Sequence, residues 1–301
     1  MTVNDSQFTI YEMIQNALEN IYISPLEKCN LNCKLCYAQK TPVNLTNKQI
    51  LNFIKKYSKK IDLKSVLFCG GEVFMLPNFS KLVNQLIRTG IFVTIITNGT
   101  IDRLSEINDP TNCQLLVSLD GPKEVHDQNR GLGNFNKSIS FIKKALSLGF
   151  PTEVMFLITP ESYPYRNLFT QSVNSLINNH VNFNYITEKA IFFDPRLERM
   201  GLTPNQILDL KKNYPSIPGK NFGCFQLSLQ SNGLIYGCCE SSIPLAEMTD
   251  PVEKIIENFK KSLDPCRKCQ KCHGCCHSEF LCGYIKELGL KNCKEVIKSL
   301  R

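Results

Sequence analysis

Six apolar runs of strand length recur along the first two thirds of the chain: Ile21–Pro25, Ser65–Cys69, Phe92–Thr97, Gln114–Leu119, Thr152–Thr159 and Val181–Ile186. Between them, apolar residues return three and four positions apart, as in Ile50, Phe53, Ile54 and Tyr57, or Ile139, Ile142, Ala145 and Leu146. That is the period of an amphipathic helix. A strand, a helix and a second strand close as a right-handed crossover, which leaves the strands parallel. Six such units over about 170 residues predict an α/β fold, a partial (β/α)6 barrel of the TIM type, and exclude a helix bundle.

The alternation then stops. Residues 194–223 hold four prolines and a short helical pattern at Gln206–Tyr214, the marks of a linker. Beyond it, a hairpin is expected from Phe225 to Cys238 around Ser231-Asn232-Gly233, and a helix near Val252–Leu263. The remaining tail is too poor in apolar residues to fold unaided, and metal would supply the missing stability. The expected domains are 1–193, a barrel; 194–223, a linker; and 224–301, a cysteine-rich domain.

The chain has 15 cysteines. Cys29, Cys33, Cys36, Cys69 and Cys113 lie in the barrel, and the others crowd between Cys224 and Cys293. The first residues carry acidic side chains and no basic run ahead of an apolar stretch, so no signal peptide is read there. No segment approaches the ~18 apolar residues of a membrane span. A reducing cytoplasm is therefore expected, where clustered cysteines bind metal or do chemistry. Of these barrel cysteines, Cys69 reads as buried at a strand end and Cys113 as half-buried. The net charge of +8 resides in runs such as Lys55-Lys56 and Lys59-Lys60. Solvated lysines on amphipathic helices explain these runs more simply than nucleic acid does, and a docking face for an acidic electron donor is a third reading.

Leu26–Gln39 reads LEKCNLNCKLCYAQ, with three and then two residues between Cys29, Cys33 and Cys36. The loop follows the first strand, at the strand end where parallel barrels carry chemistry. Three thiolates are one short of the four that a structural zinc or an ordinary iron–sulfur cluster uses, so an iron without a protein ligand is free to bind a substrate or cofactor. Spacing alone also admits a zinc with a fourth ligand from elsewhere, or three unrelated cysteines.

The spacing resembles the signature of the radical S-adenosylmethionine (SAM) superfamily. The resemblance implies a 4Fe-4S cluster on Cys29, Cys33 and Cys36, its open iron chelated by the amino and carboxylate groups of SAM. It further implies reductive cleavage of SAM to a 5′-deoxyadenosyl radical. One departure is Leu35, where the family usually has an aromatic residue, with Tyr37 following the third cysteine instead. Later motifs arrive in the family's order. Gly70-Gly71-Glu72 follows the second strand: glycine lets the backbone approach a ligand, and in the family this motif receives the SAM amino group. Thr97-Asn98-Gly99 follows the third strand, and Ser118-Leu119-Asp120-Gly121, continuing through His126 and Asp127 to Arg130, follows the fourth. In the sulfatase-maturase-like branch the Ser and Arg matching Ser118 and Arg130 hold the SAM carboxylate. Gly70, Gly71, Glu72, Thr97, Asn98, Ser118, Asp120 and Arg130 are thus the expected cofactor contacts, with His126 and Asp127 orienting the Arg130 segment.

The C-terminal cysteines resemble the SPASM extension of peptide-modifying members (SPASM/Twitch-like), in which seven cysteines bind one or two auxiliary 4Fe-4S clusters. Cys224, Gly233 and Cys238 match its opening pattern and Cys266, Cys269 and Cys275 its next part. Cys282 and Cys293 complete the seven, although six residues precede the sixth cysteine where the family has three. Cys266, Cys269, Cys272 and Cys276 also read as a ferredoxin-like loop, and two Cys-x-x-Cys pairs would satisfy a zinc. Cys239, followed by Glu240, stands where the sulfatase-maturing branch has an aspartate base. A thiol donates a hydrogen atom to a carbon radical readily, so the reading of Cys239 is a hydrogen donor, an alternative ligand or a bystander. The resemblance implies an enzyme that abstracts a hydrogen atom from a peptide, protein or small-molecule substrate, in oxidation, crosslinking or epimerisation, fed by a flavodoxin or ferredoxin-type donor. The contrasting class is a zinc-binding, non-enzymatic module that contacts nucleic acid.

Overall fold

The computed structural model describes residues 10–36, 38, 40–178, 181–186, 195–213, 227–237, 239, 241 and 243–262. Its strands are β1 (Asn20–Ile23), β2 (Ser65–Phe68), β3 (Phe92–Thr97), β4 (Cys113–Ser118), β5 (Thr152–Ile158), β6 (Asn182–Tyr185), β7 (Ser228–Leu229), β8 (Leu234–Tyr236) and β9 (Pro244–Glu247). Its helices are α1 (Ile10–Glu19), α2 (Asn47–Tyr57), α3 (Phe79–Arg88), α4 (Lys123–Arg130), α5 (Asn134–Ser147), α6 (Arg166–Ile177), α7 (Pro204–Asn213) and α8 (Val252–Ser262). All six apolar runs are strands, displaced by a residue or two at most, and the fold is α/β with a parallel sheet. Two compact units divide the chain. One is Leu26–Pro42 with Phe68–Pro218; the other is drawn from Met1–Pro25, Val43–Leu67 and Gly219–Arg301.

In the first unit β3, β4, β5 and β6 run parallel in that order, with Val93 opposite Cys113, Leu115 opposite Thr152 and Met155 opposite Asn182. Leu115, Leu116 and Val117 are buried on consecutive positions, as in a parallel strand covered on both faces. Phe68, Phe74, Phe79 and Phe141 meet edge to face, with centroids 5.2–6.1 Å apart. The inward face of α5 is rotated from the expected one. Ser138, Phe141, Ile142 and Ala145 are buried, whereas Ile139 and Leu146 are half-buried. The Ser138 hydroxyl turns in to donate to the Asn98 carbonyl at 2.7 Å, and a count of apolar residues misses that.

In the second unit the strand order is β2, β1, β7, β8, β9. β1 pairs parallel with β7, Tyr22 opposite Ser228, and the expected hairpin forms between β7 and β8, turning at Gly233 with φ +81°. A capping box between Thr46 and Gln49 starts α2, which buries Ile50, Phe53, Ile54 and Tyr57. The Tyr57 hydroxyl donates to the Leu18 carbonyl at 2.9 Å. The lysine runs are not uniformly solvated: Lys56 Nζ donates to the carbonyls of Met248 (2.7 Å) and Asp250 (2.6 Å), while Lys55, Lys59 and Lys60 are exposed. Among the described residues, no helix is long and apolar enough to cross a membrane.

Candidate active site

The residues expected in the barrel site all fall in the first unit. Cys29, Cys33 and Cys36 share one loop as free thiols, the first two half-buried and the third exposed. Burial pushes the Cys29 and Cys33 thiols up in pKa; the Leu31 N–H, 3.4 Å from Cys29 Sγ, and the Arg130 charge near Cys33 oppose it. Each of these two also feels the charge of Cys36, so the three sulfurs lie within electrostatic reach of one another. Among the described residues, no three Cys, His, Asp or Glu side chains are drawn together tightly enough to hold a metal ion as they stand.

The loop is anchored by main-chain bonds. Gly71 N–H donates to the Leu26 carbonyl at 2.9 Å and Glu72 N–H to the Lys28 carbonyl at 3.0 Å. A Cβ on Gly71 would lie 2.0 Å from the Lys28 oxygen and 2.7 Å from that of Glu27. Gly71 therefore leaves room for the backbone just ahead of Cys29. Gly70, at φ +131°, makes the turn out of β2. Leu35 is buried, and Tyr37 lies outside the described residues.

Glu72 is fully buried. Its Oε1 accepts from Phe74 N–H (3.2 Å), its Oε2 from Asn98 N–H (2.9 Å), and the Thr97 hydroxyl donates to the carboxylate at 2.9 Å. These donors are neutral. Burial outweighs them and the smaller effect of the Arg130 charge, and holds the Glu72 carboxyl above its ordinary pKa. Asn98 also reaches the cysteine loop: its Nδ2 lies 3.0 Å from Asn30 Oδ1 and 3.8 Å from Cys29 Sγ.

Asp120, 1% exposed, holds Arg130 by two bonds, Nε to Oδ2 at 2.7 Å and Nη2 to Oδ1 at 2.9 Å. Burial alone would lower the Arg130 pKa; the Asp120 carboxylate overrides it and keeps the guanidinium charged. Asp120 thus faces Arg130, and Ser118 stands half-buried at the end of β4. His126 and Asp127 sit on α4 rather than in a loop. Asp120 N–H donates to His126 Nδ1 (3.3 Å), and Asp127 accepts from the N–H groups of Gly133 (3.0 Å) and Phe135 (2.8 Å) at the start of α5. Both shape the segment that carries Arg130.

Cys113, expected half-buried, is wholly buried because β4 is covered on both faces; Cys69 is the half-buried one. Cys239 is half-buried in the second unit, its carbonyl accepting from Gln230 Nε2 at 3.3 Å. Glu240, Cys224, Cys238, Cys266, Cys269, Cys275, Cys282 and Cys293 lie outside the described residues, as do Cys272 and Cys276. Sequence reasoning passed over Asn129, whose side chain bonds to both Leu35 and Asp120. Its one signal was its place beside Arg130.

Residues 23–166 match the radical SAM superfamily. The chain is 30% identical over 139 residues to the sporulation killing factor maturation protein SkfB of Bacillus subtilis, covering 43% of this chain and 33% of that protein. It is 28% identical over 170 residues to the antilisterial bacteriocin subtilosin biosynthesis protein AlbA of the same species, covering 54% of this chain and 38% of that protein. The chain therefore spans well under half the length of these curated relatives. The solved structure of native anSMEcpe with bound AdoMet and Cp18Cys peptide superposes with a TM-score of 0.67 at 17% identity, covering 87% of each chain. That likeness is one of fold.

Proposed function

We infer that this chain, whose residues 23–166 are a radical SAM domain, is an enzyme that binds a 4Fe-4S cluster and SAM and abstracts a hydrogen atom from a carbon of a peptide or protein substrate. The observation that carries the reading is the meeting, in one compact unit, of a three-thiol loop, a buried carboxylate that, among the described residues, has no cationic hydrogen-bond partner, and a charged arginine. The donor set fits the group: three free thiols within eight residues, one fewer than a closed cluster needs. Cys29, Cys33 and Cys36 would hold the cluster, which supplies the electron for SAM cleavage when bound. Glu72 would take the SAM ammonium, its three donors, two main-chain N–H groups and the Thr97 hydroxyl, fixing both oxygens. Arg130, its Nε and Nη2 given to Asp120, would meet the SAM carboxylate with its remaining edge, and Ser118 would add a hydroxyl. Gly70 and Gly71 set the turn that brings Glu72 in, and Thr97 and Asn98 orient its carboxylate.

The maturation and biosynthesis roles named for SkfB and AlbA, and the peptide bound in the anSMEcpe structure, support a peptide substrate. The spacing of Cys224, Cys238, Cys266, Cys269, Cys275, Cys282 and Cys293 supports one or two auxiliary 4Fe-4S clusters, and Cys239 and Glu240, which follow Cys238 in the sequence, would serve the step after hydrogen abstraction. A flavodoxin or ferredoxin-type donor in a reducing cytoplasm would feed the site.

The test is anaerobic reconstitution of the full chain with iron and sulfide, followed by SAM cleavage under dithionite. The Cys29→Ala, Cys33→Ala, Cys36→Ala variant is expected to lose about four iron atoms per chain and all 5′-deoxyadenosine formation while keeping the tail's iron. Cleavage that survives in this variant overturns the reading, as does a wild-type protein that takes up zinc and no iron.

A further inference from the structure

Asn129, in the last turn of α4, is 8% exposed and bonds in two directions. Toward the cysteine loop, its carbonyl accepts from Lys34 N–H at 3.0 Å and its Oδ1 from Leu35 N–H at 3.2 Å. Toward the arginine, its Nδ2 donates to Asp120 Oδ2, an oxygen that also receives Arg130 Nε. Lys34 and Leu35 are the two residues that separate Cys33 from Cys36.

The chemistry asks for an amide here. A carboxamide presents an acceptor and a donor on one planar group, so one side chain can meet a backbone N–H on one side and a carboxylate on the other. Flipping the amide would set donor against donor and acceptor against acceptor, which fixes its orientation. The main-chain bond to Lys34 also satisfies a carbonyl in the last turn of α4 that the helix leaves unpaired.

The geometry points to Asn129 as a positioning residue that locks the Cys33–Cys36 segment in register with the Asp120–Arg130 pair. It thereby sets where a carboxylate held at Arg130 meets the cysteine loop. The ligand half of this inference rests on the radical SAM reading; the latch itself is a property of the iron-free chain. Loss of the latch allows the cysteine segment and Arg130 to move separately, so a molecule that bridges them binds less well.

Two measurements on the full chain test it. In the iron-free protein, hydrogen exchange at Leu35 is expected to quicken about tenfold in Asn129→Ala, the worth of one net hydrogen bond, while Leu115 in β4 keeps its rate. An unchanged Leu35 rate overturns the latch. In the reconstituted protein, the Kd for SAM is read by equilibrium dialysis. Asn129→Ala is expected to weaken binding about tenfold, and Asn129→Asp, which keeps an acceptor for Leu35 but sets an acceptor against Asp120, to weaken it at least as much. A Kd unmoved by Asn129→Ala, or an Asn129→Asp variant that binds as tightly as wild type, overturns the positioning role. Should the wild-type protein bind no SAM while Leu35 exchange still responds, the radical SAM reading falls and takes the ligand half with it, and the latch stands.

Discussion

The sharpest steric demand at the site is made by Gly71. Its Cβ position is 2.0 Å from the Lys28 oxygen, 2.5 Å from the Lys28 carbonyl carbon and 2.7 Å from the Glu27 oxygen. All three are backbone atoms, so no rotamer change relieves the contact. Gly71→Ala must instead push apart the segment at 26–28 and the turn after β2, breaking the 2.9 Å bond from Gly71 N–H to Leu26 and straining that from Glu72 N–H to Lys28. Overpacking of this kind costs about 3 kcal/mol at its upper end, and a lost backbone bond adds about 1 kcal/mol. At about 2–4 °C per kcal/mol, Tm should fall by roughly 8–16 °C. Gly90→Ala is the matched control: its φ is +84°, but nothing lies within 4 Å of the added methyl. Left-handed strain alone then costs about 1–2 kcal/mol, or a few degrees. Thermal unfolding of the iron-free chain compares the two. If Gly71→Ala melts no lower than Gly90→Ala, the close approach of the two backbones is wrong, and with it the anchoring of the cysteine loop by the turn after β2.

Other consequences follow from single groups. Burial, opposed by the nearby Asp120 and Asp127 carboxylates and helped by the Arg130 charge, lowers the His126 pKa from 6.5 to about 4. The folded chain keeps this histidine neutral where the unfolded chain protonates it, so the stability it confers is intact above pH 6.5 and drains away as the pH falls toward 4. The loss reaches about 3 kcal/mol, and urea titrations of wild type against His126→Gln should show the variant with the flatter profile. An equal slope in the two proteins would place the histidine in water. Asp120→Ala strips Arg130 of its bidentate partner and should cost about 3 kcal/mol in a urea titration; a loss below about 1 kcal/mol would mean that solvent already carries the guanidinium. Tyr57→Phe leaves the Leu18 carbonyl without its 2.9 Å donor and should lower stability by about 1 kcal/mol, whereas no change would mean that the bond is not made.

The strands of the barrel were legible because a parallel strand is covered on both faces and leaves an unbroken apolar run, as at Leu115, Leu116 and Val117. The same rule explains the misjudged Cys113: a thiol at the start of such a strand is part of the run. The face of α5 was misread because a buried serine that bonds to Asn98 looks polar in a list of residues. The motif residues were legible as types and not as partners. The backbone of residue 28 lying against Gly71, and the Leu35 N–H on the Asn129 oxygen, are not written in either residue's neighbours along the chain. Each depends on a contact between residues more than forty positions apart, which spacing along one segment does not encode.

The two acids of the site, alike in the sequence, differ in what the fold has done with their charge. Asp120 is matched by a guanidinium through two bonds, whereas Glu72 is met by Phe74 N–H on one oxygen, Asn98 N–H on the other and the Thr97 hydroxyl. Because each Glu72 oxygen accepts a main-chain N–H, a glutamine there must turn its NH2 against one of them. Glu72→Gln, usually a mild isostere, should therefore lower stability by about 1–3 kcal/mol, the cost of an unsatisfied buried donor. It should also abolish any gain in stability that a bound ammonium group confers on wild type. Burial raises the Glu72 pKa, so the charged form it offers such a ligand is present above that raised value and lost as pH falls through it. Affinity for a cationic ligand should fall over the same range in wild type and stay flat in the variant. If Glu72→Gln is as stable as wild type in urea, the two main-chain bonds are not both made, and the carboxylate is then free to turn away from the cysteine loop.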